Sequence, residues 1–186
     1  MKLKFYNIDI GGIKRDLPLC KINDNLYIGA LIMFGDVELT VSSAEKLLQM
    51  APEFDYILTA EAKSIPLTYE ISRQSGRKYF IARKAPKLYM VDPLCVEVKS
   101  ITTENKQHLY LDRADAGLMR GKRIFIVDDV ISTGESLRAL ETITETVGGI
   151  VVSKMAVLAE GDAMKRSDIK FLAPLPLFKA DGEPIW

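Results

Sequence analysis

Two adjacent carboxylates, Asp128 and Asp129, close an apolar run in the segment IFIVDDVISTGES, residues 124–136, and a small hydroxyl-rich turn follows at once. Ionised carboxylates are pure acceptors, so they suit groups that donate, such as the vicinal hydroxyls of a sugar. The turn suits the opposite charge. Ser132, Thr133 and Ser136 bring hydroxyl donors, Gly134 permits close backbone approach, and the run from Glu135 reads as the start of a helix. Unpaired N–H groups and the helix dipole favour an anion there. Hydrogen bonds to a charged group contribute roughly 1.5 to 3 kcal/mol each, so a few such donors hold a phosphate monoester without any lysine. Carboxylates would repel that phosphate, so the two halves must address different parts of one ligand, and a ribose 5-phosphate satisfies both. Taken singly, each aspartate reads more simply as a partner for turn N–H groups, and STG as a plain cap. The ensemble favours a ligand. A nucleotide triphosphatase reading fails, because GLMRGKR at 117–123 has the wrong spacing for a phosphate-binding glycine loop and no strand before it.

These residues need a frame that brings strand ends and helix starts together. FDYILTA, KYFIAR, KRIFIVDD and GIVVSKMAVLA read as strands. SIPLTYEISRQSG reads as a helix with Pro66 in its first turn and Gly76 at its end, and GESLRALETITETVGG places Leu137, Leu140, Ile143 and Val147 on one face. In LTVSSAEKLLQM, Ser42 with Glu45 forms a capping box that predicts a helix start at Ser42. Two strand–helix–strand crossovers with strands apolar throughout predict an α/β fold. It is a doubly wound, mostly parallel sheet with helices on both faces and ligands at the carboxyl ends of the strands. The first 40 residues differ. KLKFYNI, the Gly11–Gly12 turn and LYIGALIMF predict a small β-rich hood, with Pro18 and Asn23 to Asn25 as punctuation. VEVKS and HLYLD read as a hairpin joined by ITTENKQ. The expected organisation is a single domain: hood 1–40, core 41–178 and tail 179–186.

Length and composition narrow the classes. A chain of 186 residues buries roughly 70% of the surface of its unfolded form, enough for one core without disulfides. The 25 basic and 25 acidic residues cancel, which argues against nucleic-acid binding or membrane attachment by bulk charge. Cys20 and Cys95 are far apart and match no metal spacing, and MKLKFYNIDIGG lacks the apolar core of a signal peptide, so a cytoplasmic location is expected. The apolar stretch Leu26 to Gly35 is about half the roughly 20 residues of a membrane-spanning helix.

IFIVDDVISTGES closely resembles the phosphoribosyl-pyrophosphate motif of type I phosphoribosyltransferases. TAEAKSIPLTYEI, FIARKAPKLYM and FLAPLPLF resemble further segments of the adenine phosphoribosyltransferase-like branch. The resemblance implies that Asp128 and Asp129 hold the ribose hydroxyls and act in catalysis, and that Ile131, Ser132, Thr133, Gly134, Glu135 and Ser136 wrap the 5-phosphate. Thr59 to Ser64 is similar to the family's pyrophosphate loop, which often contains a non-proline cis peptide, and so implies pyrophosphate contacts from Ala62, Lys63 and Ser64. Lys63 stands where the branch usually has arginine, which keeps the charge and loses the bidentate fork. Arg83, Lys84 and Lys87 match basic positions that meet pyrophosphate, although Ala85-Pro86 and Tyr89-Met90 depart from the glycine-containing pattern. Glu104 matches a loop glutamate that serves proton transfer, with Asn105 in place of the usual tyrosine. Without that match, Glu104 is a solvated tip residue, and His108, the single histidine, is structural.

The implied reaction transfers ribose 5-phosphate from phosphoribosyl pyrophosphate to a purine, adenine being the first expectation, and releases pyrophosphate with Mg²⁺. Magnesium is expected to arrive with the phosphates, without a dedicated protein site. Ile32, Met33 and Phe34 of the hood are the candidate base contacts, with core packing an equal alternative. A homodimer is the expected assembly. Transfer to xanthine, hypoxanthine or guanine, and a non-catalytic phosphoribosyl-pyrophosphate-binding regulator of the same fold, are the alternatives.

Overall fold

A computed structural model describes residues 4–98 and 107–186. Five strands form the central sheet: β4 (Tyr56–Ala60), β5 (Tyr79–Ala82), β8 (Arg123–Ile131), β9 (Ile150–Glu160) and β10 (Lys170–Leu175). They run parallel in the order β10-β9-β8-β4-β5. The chain order reverses between β4 and β8, which creates a crevice at the carboxyl ends of those two strands.

Both faces of the sheet are covered, which explains strands that are apolar throughout rather than alternating. On one face, β8 presents Ile124 and Ile126 to α3 (Arg113–Met119), α4 (Glu135–Thr146) and the antiparallel hairpin of β6 (Leu94–Val98) and β7 (Gln107–Leu111). On the other, Phe125 and Val127 meet α1 (Val37–Met50), α2 (Ile65–Ser75) and the hood. α2 ends as its sequence dictates, with Gly76 in the left-handed region at φ 67°.

The hood is an antiparallel sheet of β1 (Phe5–Ile10), β2 (Ile13–Asn23), β3 (Leu26–Gly29), β11 (Leu177–Phe178) and β12 (Pro184–Ile185), in the order β1-β2-β3-β11-β12. Four expectations change. Pro18 does not punctuate but lies within β2 opposite Phe5, and the strand LYIGALIMF stops at Gly29. Residues 179–186 are no free tail: β12 pairs with β11, and Lys4 Nζ binds the carbonyl of Ala180 at 3.1 Å. α1 begins at Val37, not Ser42. Asp36 caps it by accepting from the Leu39 amide at 3.1 Å, while its carboxylate takes Arg15 from β2 at 2.6 Å. One side chain thus starts the helix and ties it to the hood, an arrangement the Ser42–Glu45 pattern could not disclose.

Candidate active site

The crevice is built by two connections. β4 leads into a tight loop, residues 61–64, and then α2, and β8 leads into residues 132–134 and then α4. The first loop contains a cis peptide between Glu61 and Ala62. It is held from beneath: the Thr59 hydroxyl lies 2.7 Å from that of Ser64 and 2.8 Å from the Val127 carbonyl, and the Ser64 hydroxyl donates to Ala60 O at 3.0 Å. These buried bonds fasten the β4 loop to β8. Ser64 is therefore a support for the loop more than an open contact.

Lys63 Nζ then reaches Asp129 at 2.9 Å, so the two connections meet across the crevice through an ion pair. Asp129 is buried at 4% exposure, whereas Lys63 is about half exposed. Asp128 accepts from the Asp129 amide at 2.9 Å, and its carboxyl group interacts with both the Asp129 carboxyl and the Ser64 hydroxyl. Its carboxyl is held far above the ordinary carboxylate range, by burial first and then by the Asp129 charge, with the Asp129 amide and Ser64 hydroxyl pulling the other way. β8 continues to Ile131, two residues past the acids, so they lie inside the strand's last turns rather than at its end.

Beyond them, Asp128 and Val130 to Leu137 line a cavity of about 50 Å³ at the start of α4. Gly134 occupies the N-cap at φ 78° without a side-chain cap, leaving the first N–H groups of α4 to the cavity. A Cβ at Gly134 would fall 2.5 Å from Arg166 Nη1. Arg166 is fixed there by Asp168, which takes Nε at 2.9 Å and Nη2 at 2.7 Å. This places a guanidinium beside the anion loop. No motif around Arg166 announces it, because the approach is made through the fold, 32 residues away in sequence.

At the end of β5, Arg83 is brought to the same crevice, but its Nε faces Glu61 Oε2 at 2.9 Å, and the Lys84 amide donates to Glu61 Oε1 at 2.6 Å. Glu61, absent from the sequence expectations, thus neutralises Arg83 and seats the β5 loop against the β4 loop. Lys84 is exposed and Lys87 half-buried. Of the three hood residues, Met33 is fully buried in the core, so it belongs to packing, while Ile32 and Phe34 are exposed. Glu104 lies outside the described residues. His108 Nδ1 is 3.6 Å from Cys95 Sγ on the outer hairpin.

Comparison with known proteins bears on this geometry. The model of the phosphoribosyl transferase domain matches residues 42–172. The chain belongs to that family. Among curated relatives, the hypoxanthine/guanine phosphoribosyltransferase of Methanosarcina mazei is 41% identical over 108 residues, 58% of this chain and 53% of the relative. That of Methanocaldococcus vulcanius is 32% identical over 133 residues, covering 69% of each chain. The match spans 53%, 64% and 56% of the lengths of the first three such relatives. Among solved structures, adenine phosphoribosyltransferase from Thermoanaerobacter pseudethanolicus has a TM-score of 0.65 at 23% identity, covering 76% of this chain and 84% of that one. The Saccharomyces cerevisiae enzyme has 0.62 at 17%, covering 91% and 92%. At those identities the structural likeness establishes the fold, a type I phosphoribosyltransferase core with an antiparallel hood.

Proposed function

We propose that the chain is a purine phosphoribosyltransferase that uses phosphoribosyl pyrophosphate as donor. The observation that carries the reading is contiguity: a carboxylate pair, an anion loop at a helix start and a cationic loop surround one crevice, joined by the 2.9 Å Lys63–Asp129 contact. Each suits one part of the donor. Asp128 and Asp129 accept from the ribose hydroxyls, residues 131–136 with Arg166 nearby take the 5-phosphate, and Ala62, Lys63, Arg83, Lys84 and Lys87 face the pyrophosphate.

In the reaction a purine ring nitrogen bonds to C1′ while the C1′–O bond to pyrophosphate breaks and the nitrogen's proton departs. Positive charge develops on the ribose and negative charge on the leaving group. The protein's task is positioning and electrostatic stabilisation. The buried acids hold the ribose while Lys63 sits between them and the departing phosphates. Pairing with ligand would release Lys63 from Asp129 and Arg83 from Glu61.

Asp128 and Asp129 offer hard oxygen donors, and among the described residues no cluster of three acidic, histidine or cysteine side chains forms a metal cage. That set fits Mg²⁺, which keeps several waters and is held through one or two carboxylates plus substrate phosphates. When bound, the ion supplies neutralisation of the pyrophosphate charge.

For the acceptor, the similarity to hypoxanthine/guanine phosphoribosyltransferases favours hypoxanthine or guanine over adenine, the expectation drawn from motif resemblance. A homodimer is supported by the apolar groove of about 420 Å³ between α1 and α2, where Val37, Val41 and Tyr69 are exposed; sizing in solution tests it. A non-catalytic phosphoribosyl-pyrophosphate-binding protein is the second reading, favoured by the neutralised Arg83. A screen of purines for nucleoside monophosphate formation separates the two. Nucleotide from any purine supports the first, whereas donor binding without product supports the second.

A further inference from the structure

Glu160 ends β9 with 8% of its surface exposed, and no hydrogen bond or ion pair engages its carboxyl group among the described residues. It also leaves the helical turn that follows uncapped. Its carboxyl oxygens keep a small contact with solvent, so a group from outside the chain can reach an acceptor that the surrounding protein leaves unused.

Its place in the sheet says where that partner lies. Asp128 is level with Ala156 of β9, and Ile131 is level with Ala159. Glu160 is therefore about 13 Å further along the sheet than Asp128 and about 10 Å further than Asp129, at roughly 3.3 Å per residue, and one residue past the strand that enters the anion loop. Its register partner on β10 is Leu175. Leu175 belongs to the core that contains Leu31, Met33 and Phe178 of the hood, and a Cβ at hood residue Gly29 would lie 3.2 Å from its Cδ1. Glu160 thus faces the hood side of the sheet, at its ligand end. The charge that acts on it comes from Lys63, which is itself held by Asp129.

We propose that Glu160 reads the six-membered edge of the acceptor base and sets its preference for 6-oxopurines over adenine. The inference rests on the purine phosphoribosyltransferase reading above. A purine whose ring nitrogen faces C1′ turns its six-membered edge away from the ribose, and in this reading that edge meets Glu160. Guanine offers a ring N–H and an adjacent amino group on that edge, and hypoxanthine offers the ring N–H. An ionised carboxylate accepts from both. Adenine presents a bare ring nitrogen at the same place, where carboxylate and lone pair repel. Such a mismatch of buried polar groups discriminates strongly. Burial, opposed by Lys63, pushes the Glu160 carboxyl up to about 7. Preference for 6-oxopurines accordingly strengthens as pH rises through that value, since the protonated form donates to the adenine ring nitrogen.

Glu160→Gln tests the idea, because an amide keeps the shape, cannot ionise, and offers the donor and acceptor that adenine's edge complements. The full chain, with phosphoribosyl pyrophosphate and Mg²⁺, is assayed for kcat/KM on guanine, hypoxanthine and adenine. In the variant the ratio of 6-oxopurine to adenine is expected to fall on the order of 100-fold and to lose its dependence on pH. Calorimetric affinity for phosphoribosyl pyrophosphate without base is expected to match wild type, which establishes that the variant is folded. A ratio within twofold of wild type overturns the role of Glu160 while leaving the activity intact. A wild-type chain that turns over no purine overturns the activity reading, and this inference with it.

Discussion

Asp128 and Asp129 are neighbours on one strand with interacting carboxyl groups, and the Asp129 carboxyl takes Lys63, which gives each acid a different task in the proposed donor site. Replacing both by asparagine is expected to abolish transfer, a loss of at least about 10³-fold in kcat/KM, with unchanged circular dichroism; normal turnover would refute their assignment. Asp128 also carries a pH signature. Its folded pKa is raised above the unfolded value, so folding favours the protonated form, and destabilisation grows as pH rises from the ordinary carboxylate range to about 8. Asp128→Asn is therefore expected to raise Tm above pH 8 and to leave it unchanged near about pH 4. Equal gains at both pH values would contradict the buried-acid account. Gly134 supports a third prediction. At φ 78° with Arg166 Nη1 in the space a Cβ would take, Gly134→Ala strains the loop by about 1–2 kcal/mol. Titration calorimetry should show roughly tenfold weaker binding of phosphoribosyl pyrophosphate or worse.

Elements place these groups, and their legibility in the sequence followed the range of the interactions that define them. The anion loop was readable because its hydroxyls, glycine and following helix are contiguous, and α2 because Pro66 and Gly76 mark its ends locally. The start of α1 was misread because Ser42–Glu45 satisfied a local pattern, while Asp36 wins through Arg15, 21 residues away. Glu61, Arg166 and Glu160 were invisible for the same reason: their meaning comes from neighbours across the fold. β12, two residues long, has no periodicity to detect. The hood–helix junction yields its own test. Arg15 holds the Asp36 carboxyl below its usual range, so its contribution is present above the unfolded carboxylate pKa and is lost as pH falls through the lowered value. Asp36→Ala should cost about 1–2 kcal/mol in urea unfolding at neutral pH, and no loss would contradict its double role.

The whole molecule is a parallel sheet whose strand order reverses between β4 and β8, with an antiparallel hood closing one face. The reversal opens the crevice, the acids of β8 and Lys63 of the β4 loop fill it with opposite charges, and the hood brings an apolar cover to the side on which Glu160 lies. No helix among the described residues is long and apolar enough to cross a membrane. The most direct measurement of the central claim is stoichiometric: the full chain is incubated with phosphoribosyl pyrophosphate, Mg²⁺ and hypoxanthine, guanine or adenine in turn. Equal amounts of pyrophosphate and nucleoside monophosphate are predicted, fastest with a 6-oxopurine. Pyrophosphate release no faster than in a protein-free control, with every purine and with donor binding established by calorimetry, would contradict it.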